Sequence, residues 1–415
     1  MTGPLAFDEA LPLLPLIDDD RCVLDLLKAV DLLKADPEVA VRRQDTKYRP
    51  GLDCLAGYEL RSPEAECAPV LGAVAVTRSG IDGFRVDRDP ELPTLAQALD
   101  PAVVAPRLAG LLPATTSGPV TATATPVRYK PGIRCVIRYE VRSAENSAVF
   151  FGKLLSGGCS AQLALVNELS GALARVPDGP LVAAVADHWP DLAVVLQAAV
   201  TPAVEVHRLA TDGSVAAEQR LDALHGSGRA LARLHSVTLS GAPTRSFADT
   251  LGELHDLKPT VAGADPALGA RYAALLAALE DGDDGRPDPD VTCHGAFRTD
   301  QLLLSADRFV LIDLDTLCRS EPARDLGNLL AYLDWKAIRR PSAAPFLTSA
   351  GKAVLDGYRQ ERPLPARRRL DLHRAASLVK IAGRRFRSLT VPEWPLVPQL
   401  LAVAAGLVEG KGGPP

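Results

Sequence analysis

Apolar residues recur at three- and four-residue intervals across CVLDLLKAVDLLKA (22–35), which predicts an amphipathic helix. The spacing then changes to alternation. TKYRPGLDCLAGYEL (46–60) sets β-forming residues on both sides of a Pro-Gly pair and predicts strand, tight turn, strand. The same pattern returns in VRYKPGIRCVIRYEV (127–141) at a constant offset of 81 residues. From Lys47 and Arg128 onward, six of fourteen positions are identical (Tyr, Pro, Gly, Cys, Tyr, Glu), so the chain contains an internal repeat. CAPVLGAVAV (67–76) extends the first copy and AVFFGKLL (148–155) the second, each as a further strand. Between the copies, 90–113 is helical and interrupted by prolines, and TTSGPVTATAT (115–125) is a link.

The second half has a different pattern. A Gly-marked turn at 156–158 leads into a helix carrying Glu168, and DLAVVLQAAV (191–200) is a buried strand. AEQRLDALHGSGRALARLHSV (217–237) is a long helix, and the acidic loop DGDDGRPDPD (281–290) precedes VTCHGAFRTDQLLL (291–304). From 320 onward the pattern is mostly helical, apart from short strands predicted within 291–318. A strand-rich part followed by a helix-rich part predicts an α+β chain, with a small antiparallel sheet lobe and a large helical lobe flanking a cleft.

At 415 residues the chain exceeds a single core, which sets an expectation of two or three domains. The pattern divides it into a segment 1–115 (a cap-like or partly duplicated sheet-lobe segment), a sheet lobe 116–200 and a helical lobe 201–415. The net charge of −5 gives no overall electrostatic reason to bind nucleic acid or an anionic membrane. Seven cysteines lie far apart, without zinc spacing, which fits buried thiols in a reduced, cytoplasmic setting. No apolar run of spanning length stands out, and the N-terminus has no basic region of a signal peptide. Basic stretches at Arg42, Arg43, Lys47 and Arg49, at 366–370 and at 383–388 read as solvated faces, with an acidic partner or anionic substrate as the other reading.

The chemistry concentrates in 291–315. Two short apolar strands, QLLLS and RFVLIDLDT, bring the loop at 294–300 beside Asp313 and Asp315. On alternate positions of one strand these carboxylates point the same way, and Gln301 adds an amide oxygen, a donor set suited to a divalent cation. Lys153 in an apolar strand, with Glu168 fifteen residues later on a helix, suits the neutralisation of nucleotide phosphates.

HGAFRTDQLLL followed by FVLIDLDTLCRSEPARDLGNLLAYL resembles the aminoglycoside phosphotransferase/choline kinase-like family, as do GRALARLHSV (228–237) and RYKPGIRCVIRYEV with FFGKLL. The resemblance covers roughly residues 120–400. It implies a bilobal protein-kinase-like fold and an ATP- and magnesium-dependent phosphotransferase. The acceptor it implies is the hydroxyl of a small molecule or of a peptide Ser/Thr in a natural-product pathway. It assigns Lys153 to the α/β-phosphates, Glu168 to orienting that lysine, and Gln197 to the strand leading into the adenine-facing hinge. Gln301 and Asp313 become magnesium ligands, while His294 braces the loop and Asp325 anchors the second lobe. One position departs from the family: where His-Gly is followed by a carboxylate, this chain has Ala296. Asp300 and Asp315 are the candidates to take over proton acceptance. The alternative is a pseudokinase that binds nucleotide, a partner protein or a peptide without turnover.

Overall fold

The computed structural model describes residues 4–32, 39–61, 70–113, 118–158 and 160–410. The chain divides into two compact units. The first holds residues 1–160, 184–199 and 387–389, and the second holds 161–183, 200–386 and 390–415.

The first unit contains two antiparallel sheets. Ala40–Arg49, Asp53–Arg61, Val70–Thr77 and Gly80–Arg85 form a four-stranded meander. A five-stranded sheet runs Thr121–Lys130, Arg134–Arg142, Ser147–Leu155, Val194–Ala198, Val185–Trp189 in spatial order. The first two strands of each sheet have identical bounds once shifted by 81 residues, and so do their end pairs, Ala40 with Arg61 and Thr121 with Arg142. The strand over Thr121–Lys130 therefore occupies much of the stretch expected as a link, since Thr and Val favour the extended state even where the pattern is small and polar.

The repeat reaches well beyond the quoted fourteen positions. Asp8 Oδ2 accepts hydrogen bonds from the Tyr48 hydroxyl at 2.7 Å and the Gly51 N–H at 2.8 Å. Asp89 Oδ2 accepts the same pair, from Tyr129 at 2.7 Å and Gly132 at 2.8 Å. Tyr58 donates to the Ile17 carbonyl at 2.7 Å, and Tyr139 to the Ala98 carbonyl at 2.9 Å. The helices Asp20–Ala29 and Pro101–Ala109 both begin after a capping aspartate, Asp19 or Asp100, that accepts from the first-turn N–H groups. Every one of these pairs is separated by 81 residues, so Asp8–Arg61 and Asp89–Arg142 are two copies of one helix-plus-hairpin unit. The helix expected over 22–35 is observed as Asp20–Ala29, and residues 33–38 lie outside the described ones.

The copies pack head to tail. A Cβ at Gly57 of the first copy would stand 3.2 Å from the Pro131 ring in the turn of the second, and Lys47 Nζ donates to the Gly132 carbonyl at 3.1 Å. Of the basic cluster near that hairpin, Arg43 pairs with Asp18 and Arg49 with Asp53.

The second unit is largely helical. Phe247–Ala264, Pro266–Gly282, Ala323–Arg339, Arg367–Arg387 and Val397–Val408 share one apolar core that includes Leu254, Tyr272, Trp335, Val379 and Leu400. Val391–Val408 is long and apolar enough to cross a membrane by length and composition, a stretch the sequence reading passed over. Of this stretch 28% is buried, and Val397, Leu400, Leu401, Ala404 and Leu407 lie in this core. Arg369, expected on a solvated face, is 3% exposed. It donates to Glu321 through Nε at 2.7 Å and Nη2, and to Asp283 at 2.6 Å. Cys54, Cys135, Cys293 and Cys318 are buried free thiols, as expected, whereas Cys67 and Cys159 lie outside the described residues.

Glu321 also accepts from His373 Nε2 at 3.2 Å and from the Asp288 N–H at 3.0 Å. Burial pushes its carboxyl up, but hydrogen bonds from His373 and Arg369 outweigh burial and bring it down from 4.5 to about 2. A depressed carboxylate stabilises the fold fully above its unfolded value and loses that contribution as pH falls towards its folded value. Wild-type protein is therefore expected to lose stability between about pH 4.5 and pH 2 through this group. Glu321→Gln should be less stable at pH 7 and flatter across that window, as read from urea midpoints at pH 7 and pH 3.

Candidate active site

The loop at 294–301 is built around one buried carboxylate. Val291–Cys293 pairs antiparallel with Cys318–Ser320, and the chain turns at Gly295, where φ is +84°. A Cβ there would lie 2.0 Å from the Thr316 carbonyl oxygen, so only glycine fits. Asp325, in the first turn of Ala323–Arg339, is fully buried beneath the turn. Its Oδ2 accepts from the His294 N–H at 2.7 Å, and its Oδ1 from the N–H groups of Gly295 at 2.9 Å and Phe297 at 3.4 Å. His235 Nε2 adds a fourth bond at 3.2 Å, and the Tyr358 hydroxyl lies 2.9 Å from the other His235 nitrogen. Burial alone would raise the Asp325 carboxyl, yet the His235 hydrogen bond, the neighbouring histidines and the backbone N–H bonds lower it on balance. Burial drives His235 the other way, so neutral imidazole donates through Nε2 while Tyr358 donates to Nδ1. His235, Cys293 and Asp325 could in principle converge on a metal, but both Asp325 oxygens are committed to these donors and the group is an anchor.

His294 Nε2 donates to the Ile312 carbonyl at 3.0 Å, and the Ile312 N–H donates to the Gln301 carbonyl at 3.1 Å. Those two bonds bring Gln301 and the 312–313 segment together. Gln301 is 4% exposed, and its Oε1 has no hydrogen-bond partner. An amide oxygen buried without a donor is costly unless a cation or donor fills the place in front of it. With the carboxylate of Asp313, the residue after Ile312, it would make an all-oxygen donor set, the chemistry a hard divalent cation takes.

The carboxylates at 313 and 315 do not share a strand. The strand Arg308–Leu311, joined to Leu302–Ser305 by a two-residue turn at Ala306 and Asp307, ends before them. Asp313 is left-handed (φ 57°, ψ 50°) and caps a 3-10 turn over Leu314–Thr316. Aspartate tolerates that conformation better than most residues, and it breaks the alternation on which the sequence expectation rested. Asp315 is exposed and accepts from Gln162 Nε2. Asp300 is also exposed and pairs with Arg298 at 2.9 Å. Ala296 is partly exposed.

Lys153 and Gln197 belong to the first unit. Lys153 is central in its sheet, between Val136 and Val195 on the neighbouring strands. One row away, Phe151 sits between Arg138 and Gln197. Alternation puts Phe151 and Lys153 on the same face, because Gly152 between them faces the Tyr139 ring, 2.5 Å from where a Cβ would be. Phe151 is 37% exposed, a large aromatic left open beside a lysine. Sequence reasoning missed Phe151, although FFGKLL carries the signal: two aromatics in a row on a strand cannot both face the core. In the first copy the place matching Lys153 is Ala75, opposite Leu55 as Lys153 is opposite Val136. Glu168 lies in the second unit, on Ser160–Leu173, where it accepts from the Ser240 N–H at 2.9 Å and the Ser240 hydroxyl at 3.1 Å.

A sequence profile of the phosphotransferase enzyme family matches residues 152–364. No curated protein matches the chain. Among solved structures, it is similar to a choline/ethanolamine kinase family protein from Mesorhizobium loti (14% identity, 76% of this chain and 94% of that one, TM-score 0.47). It is also similar to a choline kinase from Streptococcus pneumoniae (12% identity, 74% and 98%, TM-score 0.48). A glucosamine kinase solved with glucosamine, ADP and inorganic phosphate matches over 90% of this chain and 96% of its own (20% identity, TM-score 0.41).

Proposed function

The chain belongs to the phosphotransferase enzyme family, and from that membership we propose that it moves the γ-phosphoryl group of ATP to a hydroxyl acceptor with the help of magnesium. The observation that carries the metal part of this reading is the buried, unpartnered Oε1 of Gln301, a residue whose backbone carbonyl accepts from Ile312, the residue before Asp313. Those two side chains would hold the cation, which supplies charge neutralisation at the phosphates when bound. Lys153 would contact the α/β-phosphates with Glu168 orienting it. Phe151 offers a stacking platform for the base, and Gln197 an amide for its edge. Asp300 and Asp315 are the carboxylates that would receive the acceptor proton in place of a side chain at 296. The small-molecule acceptor is the first reading, with a peptide Ser/Thr beside it.

Ala296 favours a second reading, a nucleotide-binding pseudokinase with no transfer. Magnesium-dependent ATP consumption across a panel of acceptors separates the two. Turnover that disappears in Asp313→Ala supports transfer, and nucleotide binding with no turnover on any acceptor supports the pseudokinase. Restoring the carboxylate with Ala296→Asp is expected to raise kcat by about 10²-fold, the low end of general-base assistance. A fall in kcat would mean that the loop works with a proton acceptor elsewhere.

A further inference from the structure

Lys336 is a partly buried cation with no carboxylate in ion-pair reach among the described residues. Its Nζ lies 2.9 Å from His207 Nδ1 and 3.2 Å from Thr299 Oγ1, both neutral acceptors. Three other enclosed cations of this unit are matched by carboxylates, whereas Arg324 bonds the Thr250 hydroxyl and the Gly295 carbonyl. Arg369 has Glu321 and Asp283, Arg374 has Asp334 at 2.6 Å, and Lys380 has Glu253. The acid whose field reaches Lys336 is Asp300, and Asp300 is bonded to Arg298. Arg298 is itself fixed over the Tyr332 ring, 4.8 Å from its centroid, and donates to the Tyr332 hydroxyl at 3.1 Å. Glu205, the remaining acid near His207, faces Arg208 at 3.4 Å. Burying an ammonium without a counter-charge is unfavourable, and a fold tolerates it most readily where an anion is to be bound.

The place matters as much as the charge. Thr299 lies in the loop between position 296 and Gln301, so Lys336 stands against the loop that carries the candidate site. Lysine can only donate, so His207 Nδ1 accepts and the imidazole proton sits on Nε2, free to donate to a second anionic oxygen. Burial and the Lys336 charge hold His207 neutral.

Resting on the phosphotransferase reading, we propose that the acceptor carries an anionic group, a carboxylate or a phosphate, which binds at the Lys336 ammonium with His207 beside it. An anion there would also relieve the burial that brings the lysine down to about 8, a cost Asp300 only partly offsets and Arg298 adds to. Lys336 is a specificity residue in this account and takes no part in the proton transfer.

The test uses the full chain with magnesium-ATP and acceptors that differ mainly in charge: glucose, glucosamine, glucuronate and glucose 6-phosphate. Glucuronate or glucose 6-phosphate should exceed the other two by about tenfold or more in kcat/KM, and the two arms tell carboxylate from phosphate. Lys336→Met should raise the KM for the preferred anion by about 10–100-fold with kcat little changed, the scale of one charge-assisted hydrogen bond. Lys336→Arg should recover most of that loss, and Lys336→Glu should shift preference to glucosamine. A wild-type preference for glucose or glucosamine overturns the proposal while leaving phosphotransfer standing. So does a rise in the KM for ATP, because Lys336 would then serve the nucleotide. Calorimetric binding of the anions to the ADP-loaded chain gives a reading without turnover. Saturable binding lost in Lys336→Met supports the anion site even if no phosphate is transferred, and no binding of either anion overturns it.

Discussion

Asp313→Ala is expected to lower magnesium-dependent phosphoryl transfer by about 10³-fold, since a metal contributes several kcal/mol of charge stabilisation at phosphate. Stability should fall by no more than about 1–2 kcal/mol. Asp313 lies past the end of its strand in a left-handed conformation, and alanine tolerates that conformation somewhat less well than aspartate. The discriminating measurement is the magnesium dependence of turnover beside a thermal melt. A variant that melts normally but no longer responds to magnesium assigns the ligand. One that retains wild-type turnover at saturating magnesium removes Asp313 from the site.

The second large effect is on the fold. Asp325→Ala should cost about 3–5 kcal/mol of unfolding free energy, read from the denaturant midpoint at constant m-value. The carboxylate satisfies three backbone N–H groups and His235 at once, with His294, Phe297 and His235 buried and Gly295 partly so. Its removal strands each donor away from water. Asp325→Asn keeps the shape but replaces one acceptor oxygen with a donor that faces N–H groups, so it should recover little. A loss under about 1 kcal/mol for the alanine variant would mean that water enters and replaces the side chain.

The elements that could be read from sequence were those with a strong period or a rigid turn. The Pro-Gly hairpins, the helix over Ala217–Leu234 and the short strands around HGAFRTDQ all follow from local spacing. The repeat was visible where Tyr, Pro, Gly and Cys recur, but its full reach was not. Asp8 and Asp89 do the same work from forty residues upstream of their tyrosines, a contact that leaves no local pattern. The same holds at the site. Asp313 stands out in the sequence because Ile312 and Leu314 beside it are apolar, and Gln301 as the amide of the neighbouring loop. The two carboxylates were wrongly placed on one strand because alternation carries no warning of a left-handed residue. Lys336 was invisible, since what sets it apart is the lack of a carboxylate in three dimensions.

The head-to-tail copies also govern how the chain can be shortened. A cut at 115–116, where the sequence pattern shifts, would leave Tyr129 and Gly132 without Asp89, and Tyr139 without the carbonyl it bonds on Ala98. A cut just before Asp89 keeps the second copy's own hydrogen bonds but removes Ala73 and Val86 from the core it shares with them. It strips the cover from Pro131 and Gly132, which are buried where Pro50 and Gly51 of the first copy are not. The first copy thus shields the turn of the second, the copy whose sheet carries the lysine.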